Sequence, residues 1–297
     1  MLIGVLGTVA AALLLLLVAL WRWQERLVFQ PPREHAPLPH RDVVARLEGH
    51  GHDGQALLAL VVRARPEIER ARERPLVLAF HGNADLAVWR LPWAEELRSR
   101  AGVTVVLAEY RGYGGLPGEP SVAGVRRDAA AIAGALRTSA ASSAAKIILY
   151  GHSLGSAVAT ELAAELGPAC VDALILEAPF TSARDMARVV APSLSWLWRS
   201  ISRVPYDTAD LVARLDLPVW VTHGERDWVV PLRMGRAVHR AARRPGALLV
   251  VPQAGHNDVA EVGGESYWSW LMAAVRPTPA MPLETRGETP TPDTAST

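Results

Sequence analysis

In Ile147-Ile148-Leu149-Tyr150-Gly151-His152-Ser153-Leu154-Gly155, a serine sits between two glycines where a β-branched run gives way to an alanine-rich one. That spacing suits a sharp strand-to-helix turn that lifts a hydroxyl clear of its surroundings, with glycines letting strand and helix pass closely. Gly-x-Ser-x-Gly alone would arise by chance about 0.1 times in a chain of this size at average usage. The weight therefore falls on its setting and on its partners. A serine hydroxyl is a poor nucleophile near neutral pH, so it needs a general base and a group that orients that base.

Both partners follow, each just past an apolar run. Val219 to Thr222 leads into His223-Gly224-Glu225-Arg226-Asp227, and Leu248 to Val251 leads into Pro252-Gln253-Ala254-Gly255-His256. His256 is the best base, because His239 falls in a helical arginine-rich stretch and His152 and His223 adjoin the turns themselves. Asp227 is the better orienter, since Asp207, Asp210 and Asp216 precede the penultimate strand; Glu177, after the strand before it, is the fallback. The order Ser153, Asp227, His256 is the one a strand-borne serine of this kind requires. The oxyanion of a tetrahedral intermediate needs two N–H donors, each contributing about 2.7 to 4 kcal/mol. Leu154, next after the serine, supplies one; Asn83 of His81-Gly82-Asn83-Ala84 supplies the second, with Ala84 the alternative one residue on.

The elements that must hold these residues are legible as apolar runs. Val43 to Leu47 and Ala56 to Val62, joined by a turn with Asp53-Gly54, read as an antiparallel hairpin. Leu76 to Phe80, Val103 to Ala108, Ile147 to Tyr150, Ala173 to Leu176, Pro218 to Thr222 and Leu248 to Val251 read as buried strands with helix-length spacers. The expectation is an α/β fold: a mostly parallel eight-stranded sheet flanked by helices, with the candidate residues at its carboxyl edge. Thr181 to Tyr206, bearing Met186, Trp196 and Trp198, reads as a short lid, about 181–206.

Leu2 to Trp21 carries no charge and matches the roughly 20 residues that cross a bilayer as a helix. It lacks the basic start and small-residue cleavage site of a signal peptide, so the sequence predicts a single-pass membrane protein with an uncleaved transmembrane helix. Arg22, Arg26 and Arg33 follow the run, and this bias favours a cytoplasmic catalytic domain. The expected organisation is an anchor over 1–23, a juxtamembrane linker over 24–42, the catalytic domain over 43–275 and a disordered Pro/Thr tail over 276–297.

Composition excludes other classes. Lys+Arg 31 against Asp+Glu 30 gives a net charge of +1, no field for nucleic acid. Lys146 is the single lysine and Cys170 the single cysteine, which removes Schiff-base, phosphate-loop and multi-cysteine metal chemistry; Cys170 reads as core packing. His50-Gly51-His52-Asp53 imitates a metal-ligand set but reads as a polar turn, and Pro117 stands where a dinucleotide loop needs its third glycine. No metal and no cofactor is expected.

Taken together, His81-Gly82-Asn83, Glu109-Tyr110-Arg111-Gly112-Tyr113-Gly114, Gly151-His152-Ser153-Leu154-Gly155, His223 to Pro231 and Gly255-His256-Asn257-Asp258 make the chain resemble an α/β-hydrolase from about Val43 to Val275. With its N-terminal run and Ala178-Pro179-Phe180-Thr181-Ser182 opening the lid, it is similar to membrane-anchored serine hydrolases of the α/β-hydrolase-domain type. Glu109, where many relatives carry Asp, is read as a structural turn residue. The resemblance implies hydrolysis of carboxylic esters or thioesters through an acyl-enzyme on Ser153, of acylated lipids or proteins, without a cofactor. The alternatives are a catalytically silent, membrane-tethered binding module of the same fold, and an acyltransferase.

Overall fold

The computed structural model describes residues 2–34, 44–51, 53–64, 76–138, 147–196, 202 and 204–276. Eight strands form one sheet: β1 (Val44–His50), β2 (Ala56–Val62), β3 (Leu76–Phe80), β4 (Thr104–Ala108), β5 (Ile147–His152), β6 (Val171–Glu177), β7 (Pro218–Gly224) and β8 (Arg244–Val251). Their order is β1-β2-β4-β3-β5-β6-β7-β8. The hairpin β1/β2 and the pair β2/β4 are antiparallel, and all other pairs are parallel. This is the sheet expected from the apolar runs. β5 is buried along its whole length, which is why its residues are apolar on both faces until the turn.

Among the described residues, eight α-helices accompany the strands: α1 (Leu2–Val28), α2 (Leu91–Ala101), α3 (Val122–Thr138), α4 (Leu154–Leu166), α5 (Ala183–Val190), α6 (Thr208–Val212), α7 (Leu232–Ala241) and α8 (Val259–Ala274). One core layer joins the sheet to α3, α4, α6 and α7; the other joins it to α2 and α8. Both faces are therefore closed, as a parallel sheet requires. At the turn into α4, Gly155 is obligatory: a Cβ there would fall inside the van der Waals shell of the Phe80 carbonyl oxygen. α4 can start hard against the end of β3 only because that atom is missing.

Two expectations are modified. Several strands run further than their apolar runs, β8 most of all: it begins at Arg244, because Arg244 and Pro245 pair with Pro218 and Val219 at the sheet edge through the backbone, whatever their side chains. Cys170, read as core, is half-buried in the turn before β6.

The predicted membrane span is not found. Among the described residues, no helix is long and apolar enough to cross a membrane. α1 does form over the expected run, but its last turns carry Arg22, Gln24, Glu25 and Arg26 and are docked on the domain. Gln24 and Phe29 are buried, and Glu25 Oε1 accepts from the Val122 N–H at 3.1 Å. Most side chains before Trp21 lie outside the described residues, as do Trp198 of the lid and all of 277–297. In the described part of the lid, Ser182 caps α5 by accepting from the Asp185 N–H at 3.1 Å, and Trp196 is exposed.

Candidate active site

Ser153 occupies the turn between β5 and α4 with φ 51° and ψ −113°. A non-glycine residue in that region costs on the order of 1–3 kcal/mol, so the surroundings must impose it. Three contacts do. The Ser153 N–H donates to the Glu177 carbonyl at 2.9 Å, and its own carbonyl accepts from the Ser156 N–H and the Ser156 hydroxyl. With the backbone pinned on both sides, the hydroxyl is the free end, and it meets His256 Nε2 at 2.9 Å.

His256 arrives on the loop after β8, and Asp227 on the loop after β7. These loops touch at Gly224, where a Cβ would overlap the carbonyl oxygen of Gly255. His256 Nδ1 lies 2.7 Å from Asp227 Oδ2. A carboxylate only accepts, so the proton sits on Nδ1 and leaves Nε2 free to take one from serine. The other oxygen, Asp227 Oδ1, accepts from the N–H groups of Val229 and Val230 at 2.9 and 2.8 Å. His223 adds a contact that the sequence did not announce: its Nε2 donates to the Val230 carbonyl at 2.8 Å and stands 3.2 Å from Asp227 Oδ2.

Burial alone would raise the Asp227 pKa. The hydrogen bonds from His223 and His256, the charge of His256 and the Val230 N–H overcome it and hold the carboxyl well below the usual range. Asp227 is therefore an anion throughout the neutral range, fit to orient an imidazole and to stabilise its cation.

Glu177, the fallback acid, is placed elsewhere. Its Oε2 accepts from the hydroxyls of Tyr150 and Tyr267, both at 2.8 Å, and Tyr267 in turn accepts from the Trp93 indole at 2.9 Å. It buttresses the sheet behind the serine. Asp53 of the His-Gly-His-Asp turn is engaged by Arg111 at 3.0 to 3.1 Å; His52 lies outside the described residues.

His152 is a second residue whose role sequence reading missed. Its Nδ1 faces Arg90 Nη2 at 2.8 Å, and a guanidinium only donates. The ring proton is thus on Nε2, which donates to the backbone carbonyl of His256 at 3.1 Å. Arg90 is itself aimed by Asp85 Oδ2 at 2.5 Å. Burial, then the charges of Arg90 and His256, push the His152 pKa well below the ordinary histidine value. The sequence signal was an arginine inside the apolar stretch Ala87-Val88-Trp89-Arg90-Leu91.

The two expected oxyanion donors lie at the ends of adjacent strands. Leu154 opens α4, where helical N–H groups have no intrahelical partner, and its N–H makes no hydrogen bond among the described residues. Asn83 follows β3, in a turn with Ala84 at φ 51°. Gly82 brings this loop beside Ser153: a Cβ on it would sit 3.5 Å from Ser153 Cβ.

A mostly parallel sheet with a strained serine turn after β5, an acid after β7 and a histidine after β8 is the arrangement that defines the α/β-hydrolase class. A family model described as serine aminopeptidase, S33, matches residues 71–206. Alpha/beta hydrolase domain-containing protein WAV2 of Arabidopsis thaliana is 32% identical over 283 residues, covering 88% of this chain and 89% of that protein. Lysophosphatidylserine lipase ABHD12 of Rattus norvegicus is 32% identical over 187 residues, 58% of this chain and 46% of that one. Among solved structures, the esterase Pf2001 of Pyrococcus furiosus superposes with a TM-score of 0.65 over 83% of this chain and 98% of its own, at 17% identity. The chain belongs to the α/β-hydrolase superfamily.

Proposed function

We propose that the protein is a serine hydrolase that cleaves carboxylic esters or thioesters through an acyl-enzyme on Ser153. The observation that carries this reading is the continuous relay of Ser153 Oγ to His256 Nε2 at 2.9 Å and His256 Nδ1 to Asp227 Oδ2 at 2.7 Å, built on a strained turn. The names of the relatives support ester cleavage: a lipase among the homologues and an esterase among the structures.

In the first half-reaction, Ser153 Oγ bonds to the acyl carbon and its proton passes to His256 Nε2. The imidazolium is stabilised by the Asp227 anion. The carbonyl electron pair moves onto oxygen, facing the N–H groups of Leu154 and Asn83. As the intermediate collapses, the bond to the alkoxide or thiolate breaks and His256 returns the proton to it. Water, deprotonated by the same nitrogen, then attacks the acyl-enzyme and regenerates Ser153.

The reading extends to an apolar acyl substrate at a membrane, with the chain held there by α1. Its support is the chargeless run from Leu2 to Trp21, followed by exposed Trp21, Trp23 and Leu27. Flotation of the purified full chain with phospholipid vesicles checks this: co-flotation is expected, and a chain that stays at the bottom would remove the membrane from the proposal. The catalytic reading is checked by fluorophosphonate labelling of the full chain, with mass spectrometry locating the adduct. An adduct on Ser153, absent in Ser153→Ala and weak in His256→Ala, is the expected result. A folded chain that does not label would overturn it.

A further inference from the structure

We infer that the end of α1, Val28 to Gln30, is a positioning element of the active site, holding the oxyanion loop in place through the side chain of Asn83. The inference rests on the serine-hydrolase reading and adds to it a second role for the N-terminal helix. Asn83 was expected only as the owner of a backbone donor. In the structure its side chain is the busiest polar group of the loop.

Asn83 Nδ2 donates to the Val28 carbonyl at 2.6 Å, and Asn83 Oδ1 accepts from the Gln30 N–H at 2.9 Å and from the Tyr113 hydroxyl at 2.8 Å. The last carbonyls of a helix have no intrahelical partner. The carboxamide therefore does for the end of α1 what a peptide group of a neighbouring strand would do: it bridges a C=O and the N–H two residues on. Between these two bonds, Phe29 is 2% exposed and belongs to the same core layer as Tyr110, Tyr113 and Leu154. The helix end is thus pegged as well as bridged. A second tie lies one turn back, where Glu25 accepts from the Val122 N–H at 3.1 Å, at the first residue of α3.

The loop needs such restraint. Ala84 holds a positive φ of 51°, which a residue with a Cβ keeps only when its neighbours enforce it. From the inner side, His81 lies 2.8 Å from Glu109 and Glu109 also accepts from the Ala87 N–H at 3.1 Å, fixing both flanks of the loop. From the outer side, among the described residues, the Asn83 side chain is held by the Val28 carbonyl, the Gln30 N–H and the Tyr113 hydroxyl. A donor loop displaced by a fraction of an ångström loses its aim at the oxyanion while substrate binding is left alone. Any force that moves α1 would therefore be read at the site as a change in turnover.

The experiment compares the purified full chain with Asn83→Ala, Phe29→Ala and Tyr113→Phe. It measures kcat per fluorophosphonate-titrated site and KM on a short water-soluble ester, and affinity for a trifluoromethyl ketone that forms the tetrahedral adduct. Asn83→Ala is expected to lower kcat about 10-fold or more, short of the ~10²–10³ that full loss of an oxyanion donor costs. KM should stay within about twofold, because ground-state binding is untouched. Affinity for the ketone should fall in step with kcat. Tyr113→Phe, which removes one donor and keeps the ring, keeps the test alive if the alanine variants fail to fold; its kcat should fall about threefold. A purely structural role would lower the melting temperature and leave kcat per titrated site unchanged, and that result overturns the inference alone. A native chain that neither hydrolyses nor labels overturns the hydrolase reading and this inference with it.

Discussion

His152→Gln is the substitution that most directly tests the polar scaffold behind the base. In the folded chain, burial and the neighbouring Arg90 and His256 keep His152 neutral far below its ordinary pKa of 6.5. In the unfolded chain it takes up a proton near that value. As pH falls below 6.5, the unfolded state binds a proton that the folded state refuses, and stability is lost by about 1.4 kcal/mol per pH unit until the depressed folded pKa is reached. The loss accumulates at that rate between pH 6.5 and the depressed folded value, against the ~5–15 kcal/mol that holds such a domain together. Glutamine does not titrate, yet its oxygen accepts from Arg90 and its amide reaches toward the His256 carbonyl. The variant should therefore lose less stability on acidification by about that amount, with every other titrating group cancelling in the difference. Urea unfolding of both chains at pH 7.5, 6.0 and 4.5 measures it. Equal acid slopes, within about 0.5 kcal/mol, would mean that His152 takes up a proton inside the fold, and the tautomer and carbonyl anchor deduced from Arg90 would be wrong.

Two further perturbations separate roles that the sequence left open. Asp227→Asn should lower kcat by about 10³–10⁴ with KM little changed, because an amide facing Nδ1 favours the wrong ring tautomer. Glu177→Leu should leave kcat per titrated site near native but destabilise by about 2–4 kcal/mol, since two buried tyrosine hydroxyls lose their shared acceptor. Steady-state kinetics beside thermal unfolding distinguishes the two, and the reverse pattern would hand the orienting role to Glu177. Ser153→Gly should abolish hydrolysis and raise stability by about 1 kcal/mol or more, because glycine adopts the strained turn freely. A lower melting temperature would show that the serine side chain, and not its backbone, is what the turn has to accommodate.

What the sequence displayed of this site was whatever depends on local order. Strands buried on both faces must be apolar throughout, so the runs around Leu78, Leu149 and Val221 located β3, β5 and β7. Ser153, Asp227 and His256 stood out as candidates because each follows an apolar run within five residues. What stayed hidden depends on distance along the chain. Asn83 meets Gln30 across 53 positions and Arg90 meets His152 across 62, and no periodicity or spacing encodes such pairs. β8 was read four residues short because edge pairing at Arg244 needs only backbone groups, which leave no mark on side-chain pattern. The segment after Trp23 read as the start of a linker because its charges broke the apolar pattern. Those charges and amides are what fasten it: Gln24, Glu25 and Phe29 belong to the domain's surface and core.

The same hidden contacts follow a pattern. His152, just before Ser153, donates to the carbonyl of His256; His223, near the end of β7, shares the Asp227 carboxylate with His256; Asn83, owner of an expected oxyanion donor, holds the end of α1. Each chemical group thus has beside it a residue that positions a different part of the site. Such cross-bracing makes the parts interdependent, so that the effects of paired substitutions at His152 and Asn83 measure how rigidly β3, β5 and β8 are coupled. Independent parts would give additive losses of transition-state stabilisation. A coupled scaffold would give a double variant less impaired than the sum, since the first displacement has already released what the second would disturb. The carboxyl edge of the sheet supplies the positions; on the proposed serine mechanism, these neighbour-to-neighbour braces are what would hold the 2.7 Å and 2.9 Å contacts joining Asp227, His256 and Ser153 in line for proton transfer.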